Sequence, residues 1–338
     1  MLSAILREPG IIDIREVETP EPSEGELLIK VKAALTCGTD LKAFVRGHSL
    51  IPMPGPFGHE FSGIVAAKGK GAGKFKTGDA VTAVHSAPCL DCSYCRSKLF
   101  NLCENIMSTK VLGAFSEYIL IPKHIVRQNV FKKPDGLSFK EASFLEPLAC
   151  VVHGMEPLNI SKGETVFIIG AGPIGLLHLM LAKSKGAKVL ITDIGEERLK
   201  SAKKSGADLV FQSPESTRFV RDFTGGTGAD YVFECTGRPE IWESTVNYVR
   251  RGGTVILFGG CKAGAIVKFS ADRLHYDEIT LRGTFHFTPR DVKKSFLLLK
   301  NREIGVKKLI SGTYSLKETG DAFSKLSRGI GIKYAIVP

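Results

Sequence analysis

Residues 165–193, TVFIIGAGPIGLLHLMLAKSKGAKVLITD, decide the fold. The stretch opens on five residues with no charge, turns through Gly170-Ala171-Gly172-Pro173-Ile174-Gly175, continues as an apolar helix pattern and returns as KVLITD. An apolar run, a G-x-G-x-x-G turn, a helix and a second apolar run form the strand–helix–strand unit of a dinucleotide-binding fold. Gly170 permits the tight turn, Gly172 lets a diphosphate approach the backbone, and Gly175 lets helix and strand pack closely. Pro173 and Ile174 begin the helix, whose free N–H groups and dipole favour the negative diphosphate. Asp193, 18 residues after Gly175, stands where an acidic residue binds the adenosine ribose hydroxyls. A carboxylate there repels a 2′-phosphate, so NAD is expected over NADP. Arg198 is the counter-signal, expected on the solvent face of the helix it begins. Thr236, following YVFEC, is expected as a further cofactor contact.

Working outward, strand and helix patterns alternate from about residue 140 to 284: KVLITD, EERLKSAKKSG, DLVFQ, YVFECTG, GTVILFGG and DEITLRGTF. That rhythm predicts a doubly wound parallel sheet with helices on both faces. Before it, alternating runs such as ELLIKVKAAL and FSGIVAAKG, broken by Gly- and Pro-rich turns, predict a β-rich region. The tail returns to helix and a final apolar strand, YAIVP. The expected architecture is an α/β Rossmann-type domain, residues 146–284, inserted in a β-rich domain made of 1–145 and 285–338. The 18 charge-free residues 165–182 fit a buried strand, turn and helix rather than a membrane span. Arg7 and Glu8 precede any apolar run long enough for a secretory signal. A soluble, cytoplasmic protein is expected, with no membrane partner.

The composition of the 338 residues, 43% hydrophobic and 24% charged, argues against disorder. A formal charge of +11 raises the question of nucleic acid. Residues 285–338 hold 11 basic and 4 acidic groups, so the excess trails along the tail instead of marking a reading element. No nucleic-acid partner is expected.

Four of eight cysteines crowd together as Cys89-x2-Cys92-x2-Cys95-x7-Cys103. Without an export signal this spacing reads as metal ligation. Four thiolates suit a closed, structural zinc site. An iron–sulfur cluster competes, but the seven-residue gap departs from ferredoxin spacing. Cys37-Gly-Thr39-Asp40, Gly58-His59-Glu60 and Glu146-Pro147 offer a thiolate, an imidazole and carboxylates from three separate segments. Taken singly, each has an ordinary structural explanation.

Taken together and in this order, these motifs resemble the zinc-containing medium-chain dehydrogenase/reductase superfamily, close to the sorbitol, threonine and polyol dehydrogenases. The resemblance spans essentially the whole chain. It implies a GroES-like catalytic domain, a Rossmann domain, an active-site zinc in the cleft between them, and two zinc ions per chain. Cys37 and His59 are then expected as zinc ligands, with Glu60 and Glu146 completing or exchanging within the shell. Zinc lowers the pKa of the bound alcohol, Thr39 accepts its proton, and hydride passes to the nicotinamide. Many relatives carry His where this chain has Lys42, so the proton exit falls to water or His48. Sorbitol dehydrogenases typically carry Arg-Tyr where this chain has His286-Phe287, which makes sorbitol itself less expected and His286 a substrate or nicotinamide contact. The implied activity is oxidation of a secondary alcohol of a polyol, sugar or cyclitol. The alternatives are L-threonine 3-dehydrogenase, a sugar-phosphate dehydrogenase, or a regulator that kept the fold without catalysis. A homodimer or homotetramer is implied.

Overall fold

The computed structural model describes residues 1–212 and 216–338. The chain separates into two compact units, Met1–Cys150 with His286–Pro338, and Val151–Phe285. The first break falls inside the helix Leu145–Met155, not at the expected 145/146. Glu146 therefore belongs with the β-rich unit. The second break, at Phe285/His286, lies one residue past the expected one.

In the β-rich unit, a seven-stranded sheet runs in the order Ile310–Ser315, Lys333–Val337, Leu27–Leu35, Glu60–Lys68, Ala80–Ala83, Val130–Lys132, and Tyr118–Ile121 also pairs with Leu27–Leu35. The chain's last strand thus pairs antiparallel with Leu27–Leu35, setting Ala335 opposite Leu35. A smaller sheet joins Leu2–Glu8 to Ile11–Glu16 and Gly55–Pro56. Between these elements Phe57 meets Phe115 edge-on at 4.9 Å and Phe323 at 5.4 Å, all three fully buried. Aromatic burial of this kind dominates core energetics.

The second unit holds a six-stranded, wholly parallel sheet: Leu209–Phe211, Lys188–Thr192, Thr165–Ile169, Ala229–Glu234, Val249–Leu257, Thr280–Gly283. Numbered by chain position this is 3-2-1-4-5-6, the dinucleotide-binding order. Strand Thr165–Ile169 is buried at every residue, as a sheet covered on both faces requires. The helix Pro173–Ser184 is buried from Gly175 through Ala182, which accounts for the long charge-free stretch. Among the described residues, no helix is long and apolar enough to cross a membrane.

Candidate active site

Cys37 caps the helix Gly38–Arg46; its backbone is extended (φ −118°, ψ 154°) and its Sγ accepts the Thr39 N–H at 3.4 Å. One residue beyond Thr39 lies Asp40, fully buried, whose Oδ1 is 3.3 Å from His59 Nδ1. His59 and Glu60 lead into strand Glu60–Lys68, and Glu146 enters from helix Leu145–Met155. The ligating atoms of Cys37, Asp40 and His59 lie within 4.8 Å of one another, as do those of His59, Glu60 and Glu146.

The electrostatics are those of a buried, charge-dense centre. Burial opposes the His59 imidazolium, but Asp40 and Cys37 outweigh it and hold its pKa well above the ordinary imidazole value. Burial pushes the Glu60 carboxyl up to about 7, against the pull of Lys333. Lys333 is itself buried, with Nζ 2.5 Å from Glu60 Oε2 and 2.6 Å from the Thr36 carbonyl. Burial also raises Glu146. On Glu146 Oε1 converge the Cys150 thiol at 3.7 Å and His85 Nδ1 at 3.5 Å. Burial, with His59 and His286 adding to it, drives the His85 pKa well below its usual value, so that ring is neutral. His286 sits in the left-handed region at φ +63°, shares a 2.7 Å hydrogen bond with Ser86 Oγ, and stacks on Phe287 at 4.0 Å.

These residues fit a zinc ion. Asp40 Oδ2 and Glu60 Oε1 are buried without a hydrogen-bond partner among the described residues, while Asp40 Oδ1 faces His59. Carboxylate oxygens left so are costly unless a cation answers them, and sulfur, nitrogen and oxygen donors together match zinc. Lys42 lies half-buried on the Cys37 helix. His48 Nδ1 accepts the Leu50 N–H at 3.2 Å, and burial, helped by Lys42 and Arg46, lowers its pKa. Sequence reasoning assigned no role to Asp40, His85 or Lys333. Lys333 left one signal, a single charge in the otherwise apolar run IKYAIVP.

In the cysteine lobe the four Sγ atoms likewise lie within 4.8 Å of one another. Cys89 and Cys95 are 3.9 Å apart at sulfur, far beyond a disulfide bond. Backbone N–H groups of Asp91 and Cys92 point at Cys89 Sγ and draw its pKa down to about 6, while burial pushes Cys95 up to about 12. A buried thiol such as Cys95 ionises when a cation shares the site, and the four sulfurs together fit a closed zinc site. Elemental analysis of the purified protein is expected to find about two zinc ions per chain, and Cys95→Ser about one, with a lowered melting temperature. One zinc in the unaltered protein would contradict the pair of sites.

In the second unit the glycine turn follows strand Thr165–Ile169 as expected. Gly170 adopts φ +104°, and a Cβ on Gly175 would lie 1.9 Å from the Gly170 carbonyl oxygen. A Cβ on Gly172 would meet no protein atom within 4 Å, so the backbone there has room for a diphosphate. Asp193 Oδ2 accepts the Ala171 N–H at 2.7 Å and Oδ1 accepts the Gly195 N–H at 2.8 Å. Arg198 departs from expectation: it turns back from its helix to put a guanidinium nitrogen 3.8 Å from Asp193 Oδ2. The Arg198 stem packs over Gly195, with Cδ and Cγ 3.5 and 3.6 Å from where a Cβ would stand. Thr236 lies against Gly170 and hydrogen-bonds Glu234.

The chain matches the zinc-binding dehydrogenase family over residues 173–301 and the alcohol dehydrogenase GroES-like domain over 23–135. It is 32% identical over 336 residues to a sorbitol dehydrogenase of Halalkalibacterium halodurans, covering 97% of this chain and 96% of that protein. The alcohol dehydrogenase TADH from Thermus sp. ATN1 superposes with a TM-score of 0.91 at 28% identity, over 100% of this chain and 99% of the other. A protein of Sinorhizobium meliloti 1021 described as a zinc-binding dehydrogenase, solved with NADP, gives 0.90 at 30% identity with the same coverage. The chain belongs to the zinc-binding alcohol dehydrogenases, in the medium-chain superfamily that its motifs indicated. It is accordingly an oxidoreductase that uses zinc and a nicotinamide dinucleotide.

Proposed function

We propose that the protein oxidises a secondary alcohol of a polyol, sugar or cyclitol to the ketone and passes the hydride to NAD. The carrying observation is the two donor clusters that share His59, namely Cys37–Asp40–His59 and His59–Glu60–Glu146, in a chain related over nearly its whole length to a sorbitol dehydrogenase. Cys37 and His59 hold the metal. Lys333 already occupies one oxygen of Glu60, whereas Glu146 faces His59, the neutral His85 ring and the Cys150 thiol. Glu146 is therefore the direct carboxylate ligand, and Glu60 the one that exchanges. Zinc, when bound, supplies Lewis-acid polarisation of the alcohol oxygen.

Thr39 accepts the alcohol proton. Because the Leu50 N–H occupies His48 Nδ1, the neutral ring carries its proton on Nε2 and has no open lone pair. Lys42 adds only a positive charge, so water is the exit beyond Thr39. His286, anchored by Ser86, offers its ring to a substrate hydroxyl. Gly170, Gly172 and Gly175 receive the diphosphate, and Asp193 the adenosine ribose. The same reading makes the protein a cytoplasmic homodimer or homotetramer with no nucleic-acid or membrane partner.

The test is absorbance at 340 nm with NAD or NADP against polyols, cyclitols, threonine and sugar phosphates. Reduction of NAD by a polyol or cyclitol is expected; silence across the whole panel with zinc present would overturn the reading. Asp193→Asn is expected to lower the preference for NAD over NADP, as the ratio of kcat/KM values, by roughly tenfold or more, about 1.4 kcal/mol. It removes the charge that repels a 2′-phosphate and leaves Arg198 beside the site to receive one. An unchanged ratio would take cofactor choice away from Asp193.

A further inference from the structure

Glu234 ends the strand Ala229–Glu234 with a side chain that is fully buried. This strand and its neighbour Thr165–Ile169 flank the point where the sheet order reverses, the crevice in which such sheets bind dinucleotides. The described partners of the Glu234 carboxylate are N–H and O–H groups, with no cation among them. Oε1 accepts from Thr236 N at 2.7 Å, from Gly237 N at 3.1 Å and from the Thr236 hydroxyl; Gly237 N also reaches Oε2 at 3.2 Å. The Glu234 carbonyl accepts from Phe258 N and Gly259 N at 3.0 and 2.9 Å, tying in the turn after the next strand.

The two turns interlock as closely as backbone allows. A Cβ on Gly259 would lie 2.2 Å from Gly237 N and 2.7 Å from Glu234 Oε2, and one on Gly237 would lie 2.4 Å from the Gly260 carbonyl. The Thr236 methyl closes against the fingerprint's Gly170, within 3.0 Å of where a Cβ would stand. Trp242, the single tryptophan of the chain, donates its indole N–H to the Gly259 carbonyl at 3.0 Å. Burying a carboxylate is expensive, and its donors recover that cost only when they are held in register. A neutral side chain would serve a turn that had merely to exist.

We propose that Glu234 is a positioning residue that locks the turns after three adjacent strands into the surface receiving the nicotinamide end of the cofactor. The proposal rests on the dinucleotide reading of this unit. Glu234→Gln keeps the shape but replaces one acceptor oxygen with an NH2 group facing N–H donors. NADH titrated into wild-type, Glu234→Gln and Thr236→Val protein, followed by NADH and Trp242 fluorescence, tests it alongside steady-state kinetics and thermal melts. In Glu234→Gln the Kd for NADH and the KM for NAD are expected to rise about tenfold, with kcat at saturating NAD within about threefold and Trp242 emission shifted. Thr236→Val, which removes one donor without changing shape, is expected to move the same constants by about threefold, and it decides the matter if Glu234→Gln does not fold. Kd and KM unchanged within twofold, with only the melting temperature lowered, would reduce Glu234 to a structural residue and overturn the proposal. Failure of wild-type protein to bind NADH would instead strike at the dinucleotide reading itself.

Discussion

Cys37→Ser yields a folded protein whose kcat falls by at least about 10³-fold, roughly 4 kcal/mol of barrier. Cys37 does two jobs that this substitution separates. Its sulfur caps the helix Gly38–Arg46 by accepting the Thr39 N–H, and in the proposed site it is the thiol donor beside His59. Serine is among the best N-cap residues, so the helix keeps its start. A serine hydroxyl, however, is neither a soft donor nor ionised at neutral pH, so the remaining ligands hold zinc poorly. The zinc content should fall from about two to about one per chain while circular dichroism is unchanged. Activity within tenfold of wild type would remove Cys37 from the catalytic centre.

The second large effect is on stability. Lys333→Met is expected to cost about 3–5 kcal/mol in denaturant unfolding, the usual penalty for stripping one partner from a buried ion pair. Glu60 is fully buried, and Lys333 is the cation that answers it from another strand. Methionine matches the lysine stem in length, so packing changes little and the loss of the buried carboxyl's partner dominates. Adding Glu60→Gln to Lys333→Met should restore at least about 2 kcal/mol, because the orphaned charge is gone. A double variant no more stable than the single one would show that Lys333 acts through packing rather than charge.

The ease of reading each part from sequence followed the distance over which its residues cooperate. The dinucleotide fingerprint and the cysteine lobe lie within single short stretches, 165–193 and 89–103, so spacing alone exposed them. Cys37, His59 and Glu146 are far apart in the chain and meet only because the sheet gathers them, and family likeness rather than spacing made them visible. His85 gave no signal, since AVHSAP reads as ordinary strand and turn. Lys333 gave a weak one, but its partner is 273 residues away. Arg198 misled because helix periodicity places it outward, while its guanidinium folds back toward Asp193. The unit boundary was displaced because one helix, Leu145–Met155, runs across it without a change in composition.

The pairing of Glu60 with Lys333 also sets a timetable. At ribosomal rates of about 5–20 residues per second, the 273 residues from Glu60 to Lys333 take roughly 14–55 s to emerge. During that interval the whole Val151–Phe285 unit is synthesised and has time to fold, while the β-rich unit waits for its closing strand. Until then Glu60 has no lysine to answer it.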